Sequence, residues 1–66
     1  MIEKFIIWLY DVKKVEDPDV ELFYAVIKNN VDLVKESLSK GADKTVTDMM
    51  LIEKYKTDYN EFTSLQ

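Results

Sequence analysis

Between Asp17 and Asp48 the chain reads DPDVELFYAVIKNNVDLVKESLSKGADKTVTD, and the stop signals in this stretch constrain the fold more than any other feature. Asp17 is a good N-cap, because a short carboxylate can accept an orphan N–H of the first turn. Pro18 suits the first helical position, where its missing N–H costs nothing. Leu22, Ala25, Val26 and Asn29 then recur at helical spacing and share one face. Asn29-Asn30 breaks this helix, since Asn tolerates left-handed backbone and caps helices. Val31, Val34 and Leu38 give the next helix an expected buried stripe, with Leu33 and Ser37 beside it. Gly41, the only glycine, ends that helix as the residue best suited to a left-handed C′ position. Two helices joined so closely must lie antiparallel, as a hairpin.

The order of these signals resembles one ankyrin repeat, a unit of about 33 residues with the signature T-P-L-H-x-A. Val20-Glu21-Leu22-Phe23-Tyr24-Ala25 stands in the signature's place, and Leu22 and Ala25 match it outright. Asn29-Asn30-Val31-Asp32-Leu33-Val34-Lys35 is similar to the family's Gly-His/Asn-x-x-Val-Val-Lys segment, and Gly41-Ala42-Asp43 to its closing Gly-Ala-Asp. The departures are Val20 and Glu21 for Thr-Pro, Phe23 for His, and Glu36-Ser37 where two leucines are usual. The resemblance covers about half the chain. It implies a hairpin that packs against neighbours, with the first helix lining a binding surface, which would put Tyr24, Ile27 and Lys28 there. Tyr24 and Ile27, with Phe23, can instead pack against flanking helices, and both readings stand at this point. In the family the segment after the hairpin turns out into a β-finger. Here Lys44 to Thr47 is β-permissive, but no second finger strand is evident.

The flanks read as cap helices. Over residues 2–14, Ile2, Phe5, Ile6, Leu9 and Val12 form a stripe with Trp8 at its edge, while Glu3, Lys4, Asp11 and Lys14 take the opposite face. Ile7 falls among those charges and Tyr10 at the border, so Ile7, Trp8 and Tyr10 are candidates for a second apolar contact, to a partner or another copy. Towards the other end, Thr47 or Asp48 can cap a helix in which Leu51, Ile52, Tyr55, Tyr59 and Phe62 fall in a narrow arc. Met49 and Met50 lie off that arc. The expected architecture is therefore all-α: a small four-helix domain built on a central ankyrin-like helix-turn-helix hairpin. Residues 1–15 form an N-terminal cap helix, 17–48 the hairpin, 48–62 a C-terminal cap helix and 63–66 a fraying tail. The helices are expected near 2–14, 18–29, 31–40 and 48–62.

With 66 residues, a single domain is the expectation, and a chain of this size is marginal alone. No Cys or His is present, so neither disulfides nor a cysteine metal site can staple it. The 47% hydrophobic content is high for so small an object, which predicts apolar surface left for an assembly. A stable array of such repeats needs about three, and the chain offers one, so cap helices or other molecules must supply the missing contacts. A homodimer or a tight heteromeric complex is expected, with Ile7, Tyr10, Tyr24 and Ile27 near the contact.

The charge balance is acidic, 13 Asp plus Glu against 9 basic residues, and all nine are Lys. A negative chain without Arg argues against nucleic-acid binding, where Arg makes the bidentate guanine and phosphate contacts. The Lys, Ile and Asn bias is that of an AT-rich coding sequence, as in low-GC bacteria, their phages and some eukaryotic viruses. No segment reaches the roughly 18 apolar residues of a membrane span. The first residues do not read as a signal peptide, so a cytoplasmic location is the default, that of the host cell if phage-encoded.

Catalysis is not expected. The commonest general base and the strongest nucleophile are absent, and the sole Gly lies at a helix C-terminus, the wrong end for a phosphate. Asp17 and Asp19 read as acids at a helix N-terminus, where the macrodipole favours them, and not as a metal site. No cofactor is expected. The reading that remains is a small protein-interaction module that binds and inhibits or sequesters a protein partner, in the manner of phage counter-defence proteins, antitoxins or immunity proteins. The alternatives are a self-assembling structural oligomer and, third, an acidic DNA mimic. The last is disfavoured because Lys is interleaved with the acids along every helix.

Overall fold

Caps and stops written into the sequence divide the chain into five α-helices in the computed structural model, which describes residues 2–65. They are α1 (Ile2–Asp11), α2 (Pro18–Ile27), α3 (Val31–Ser39), α4 (Asp48–Lys54) and α5 (Lys56–Ser64), with no strand among the described residues. Met1 and Gln66, the outermost residues of the expected N-terminal cap and tail, lie outside that range. The chain is all-α as expected, but the single C-terminal helix expected over 48–62 is two helices that meet at Tyr55, whose backbone leaves the helical region at φ −111, ψ 42. The C-terminal helix also runs past the expected residue 62. The hydroxyls of Thr63 and Ser64 donate back to the carbonyls of Asn60 and Glu61, and α5 runs to Ser64.

The hairpin closes by side-chain and backbone caps at every end. The Asp17 carboxylate accepts the Asp19 N–H at 3.0 Å, with Pro18 inside the first turn. At the end of α2 Asn29 takes φ 55, and the N–H groups of Asn29 and Asn30 reach the carbonyls of Val26 and Ala25. Asn30 then caps α3 by accepting the Leu33 N–H. At the far end Gly41, at φ 95, donates to the Leu38 carbonyl while Ala42 donates to Ser37. These are two Schellman closures in one hairpin, which satisfy carbonyls that a helix end leaves orphaned. Helix α1 stops earlier than the expected residue 14, because Lys14 turns left-handed at φ 57 and Val15 donates back to the Leu9 carbonyl.

Helices α2 and α3 pack together, α1 packs on α2, and α5 returns to α1. The core sits where they meet. Phe5, Ile6, Leu9 and Val20 are fully buried, and Leu51 and Phe62 nearly so. Phe5 is edge-on to Tyr59 at 5.0 Å and 5.5 Å from Phe62, and Trp8 lies 5.4 Å from Phe62. In α2, Leu22 and Ala25 face inward as expected, but Val26 does not: it is 65% exposed, and Val20 takes an inner place. The expected α3 stripe is also largely outside, with Val31 61% and Leu38 36% exposed. The physical reason is the contact residue. α3 meets the rest through Ser37, fully buried, with its hydroxyl bonded to the Val34 carbonyl. Such a small side chain lets the helices approach closely, and α1 with Leu51 and Phe62 has already filled the interior. Val12, expected in the α1 stripe, is exposed because it follows the end of the helix.

Candidate functional site

Two surface regions remain once the core is accounted for, and they share no lining residue. The first is an apolar groove of ≈ 540 Å³ floored by Leu22, Phe23, Val26 and Ile27 of α2 and Val34 and Leu38 of α3. Ile2 and Ile6 of α1 and Val46 of the connector close its ends, and Glu3, Lys44 and Asp48 supply its charges. The connector that carries Lys44 and Val46 is pinned to the hairpin. The Asp43 N–H donates to the Asp19 carboxylate at 2.8 Å, and the Asp43 carboxylate accepts both the N–H and the hydroxyl of Thr45. Those two bonds hold the Asp43 carboxyl below its ordinary range.

The second region is a cleft between α1, the 12–17 link and the first turn of α2, lined in part by Tyr10, Asp11, Glu21 and Lys40. Tyr10 and Tyr24 stack along its edge with ring centroids 4.1 Å apart. Tyr24 directs its hydroxyl to Asp11 and Tyr10 directs its own to Glu21, both at 3.5 Å. Burial raises both phenols above their ordinary range, and the neighbouring carboxylates, Glu21 for Tyr10 and Asp11 for Tyr24, add to it. Glu21 is 8% exposed although it belongs to a first turn, and Lys40 reaches it from the end of α3 at 3.3 Å. That pair ties the end of α3 to the start of α2, as their antiparallel arrangement allows. Lys40 also meets Glu36 at 3.0 Å, and the hydrogen bonds its ammonium donates to the two carboxylates, Glu36 first, raise its pKa.

Beside the cleft lies the junction that holds the C-terminal helices in place. Asp17 caps α2 and accepts from Lys54 at 2.8 Å and from the hydroxyl of Tyr55. Burial alone would raise the Asp17 carboxyl, but the bonds from Lys54, Tyr55 and the Asp19 N–H outweigh it and hold it below its ordinary value. The Tyr55 phenol moves far up, first through burial and then through the bond to Asp17.

The six residues proposed from sequence separate. Tyr10, Tyr24 and Lys28 come together, with the Lys28 ammonium 5.7 Å from the Tyr24 ring centroid. Ile27 lies apart from them, in the groove. Trp8 is half-buried against the core, with Lys13 over its ring. Ile7 is half-buried and lines neither region. Sequence reasoning missed Val26 and Leu38 by assigning them to the core. The available signal was Glu36-Ser37, standing where the resembled repeat has two leucines.

No protein-family model, curated protein or solved structure matches this chain. Its likeness to an ankyrin repeat therefore rests on the residues quoted above. Among the described residues, no group of three or more acidic side chains is placed to hold a metal ion, and no helix is long and apolar enough to cross a membrane.

Proposed function

We propose that this chain is a protein-interaction module that takes an amphipathic helix of a basic protein partner into the groove between α2 and α3, and so inhibits or sequesters that partner. The observation that carries the reading is the exposure of Val26 and Leu38 in a groove whose other apolar lining is buried or half-buried. A groove between two helices receives a third helix by burying one or two apolar side chains from each successive turn of its apolar face. The partner's basic character follows from charge: the chain is −4 overall, and complementary fields steer such encounters. The likeness of residues 17–48 to a repeat that packs against neighbours points the same way.

The reading is tested with two synthetic helical peptides that share one leucine face, one flanked by Lys and one by Glu. The Lys-flanked peptide is expected to shift the methyl signals of Val26, Val34 and Leu38, and the Val26→Asp/Leu38→Asp variant should lose those shifts. Equal response to both peptides, or none in that floor, overturns the reading. Sedimentation of the chain alone covers the other occupant. A dimer that the double variant abolishes assigns the groove to a second copy, and the self-assembly reading replaces this one.

A further inference from the structure

The cleft over Glu21 is separate from the groove and holds an unmet requirement. Glu21 Oε2 accepts from Tyr10 and from Lys40, whereas Oε1 is buried and has no hydrogen-bond partner. A buried carboxylate oxygen is almost always bonded, because leaving water without a replacement donor is costly. The donors present satisfy one side only: the Tyr10 hydroxyl is long at 3.5 Å, and Lys40 is about half exposed and divided between Glu21 and Glu36. Around them Asp11, Glu16, Asp17 and Glu21 outnumber Lys14 and Lys40, so the cleft favours a cation.

We propose that this cleft receives a guanidinium group, an arginine side chain presented by another molecule. A guanidinium offers two parallel N–H donors and can bond both Glu21 oxygens at once, which the single ammonium point of Lys40 does not do. Tyr10, whose hydroxyl reaches the same carboxylate, brings an aromatic ring to the cleft wall, and a guanidinium plane stacks on such a ring. Lys40 is the occupant in the free chain. It leaves by keeping its bond to Glu36, one turn back on the same helix. The chain contains no Arg, so a second copy cannot fill the site and the guanidinium comes from a different molecule.

The experiment titrates the isotope-labelled chain with N-acetyl-argininamide, and in parallel with its citrulline and lysine counterparts, while the Glu21 and Tyr10 signals are followed by NMR. The arginine compound should shift both signals, the neutral citrulline compound neither, and the lysine compound less. Lys40→Ala should bind the arginine compound roughly two- to fivefold more tightly, the worth of one displaced exposed ion pair. Glu21→Gln, checked for retained helicity by circular dichroism, should lose the response. Equal shifts from citrulline or lysine overturn the guanidinium assignment. Absence of a response in both the parent and Lys40→Ala overturns the site, whether or not Glu21→Gln folds. None of these outcomes bears on the groove, whose floor the probes do not touch.

Discussion

Two faces of this molecule carry apolar side chains and use them differently. Where α1 meets α5, Phe5, Trp8, Tyr59 and Phe62 lie with ring centroids 5.0–6.3 Å apart and close the interior. On the outer side of the hairpin, Val26, Val31 and Leu38 stand in solvent although their helices are capped at both ends. The difference teaches that good local structure and burial are separate requirements. The hairpin is set by its caps and is covered on one side only, whereas the cap helices, less sharply delimited in sequence, supply the core. Apolar side chains that the fold does not use are the ones available to a partner.

The sharpest way to break this comparison is Phe5→Ala. A buried Phe truncated to Ala costs about 3–5 kcal/mol, comparable to all the stability a domain this small is expected to have. The variant should lose its near-ultraviolet circular dichroism at room temperature. A melt close to the parent's would mean that the aromatic face is not the core.

Next in size is the Asp17 junction, which joins the two faces. A hydrogen bond to a charged group contributes about 1.5–3 kcal/mol, so Tyr55→Phe should lower stability by an amount in that range in urea titration. The pH dependence has a definite sign. Asp17 sits below its ordinary 3.8, so its contribution is present above that value and is lost as pH falls through the lower folded value. Tyr55 sits above its ordinary 10.0, so its contribution is present below pH 10 and declines above it. Tyr55→Phe should therefore make the alkaline decline shallower, the remainder belonging to Tyr10, Tyr24 and Lys40, whose pKa values are also raised, and an unchanged decline in the variant would take Tyr55 out of it.

Gly41 comes third. A Cβ there would meet nothing within 4 Å, so only its φ of 95 resists substitution. Gly41→Val should cost more than about 1 kcal/mol, since β-branched residues tolerate left-handed backbone poorly. An equal melting temperature for variant and parent would remove the Schellman closure from the account of the hairpin. The smallest effect is expected on the outer face. Val26→Ser should change stability by about 0.5 kcal/mol or less, as exposed substitutions do. A loss comparable to that of Phe5→Ala would show that the outer face belongs to the core after all.

How much of this was legible in the sequence follows the same division. Caps act within a few residues, so Asp17, Asn29-Asn30 and Gly41 could be read directly and α2 and α3 begin where expected. The stripe Leu51, Ile52, Tyr55, Tyr59 and Phe62 was also visible, and all five residues are buried or packed on the core. The break at Tyr55 was not, because its hydroxyl bonds to Asp17 across the fold and no local signal marks it. The exposure of Val26 and Leu38 depends on Ser37 being the contact residue, a choice made between helices and absent from the periodicity of either. For the candidate sites, the pairing of Tyr10 with Tyr24 was within reach, since both were singled out. Burial of Glu21 was not, since an acid in a first turn ordinarily reads as a solvated partner of the helix dipole.

The contact between Phe5 and Phe62 also sets an order of events when the chain folds. The contacts of α2 with α3 are local and form as soon as those residues are free, because short loops close cheaply. The ring of Phe5 has to wait for Tyr59 and Phe62, which lie far from it along the sequence. Until then the folding chain shows two apolar surfaces, the one it will later bury and the one it keeps. A chaperone holding the first, or a partner arriving early at the second, would meet a hairpin already shaped and a core not yet closed.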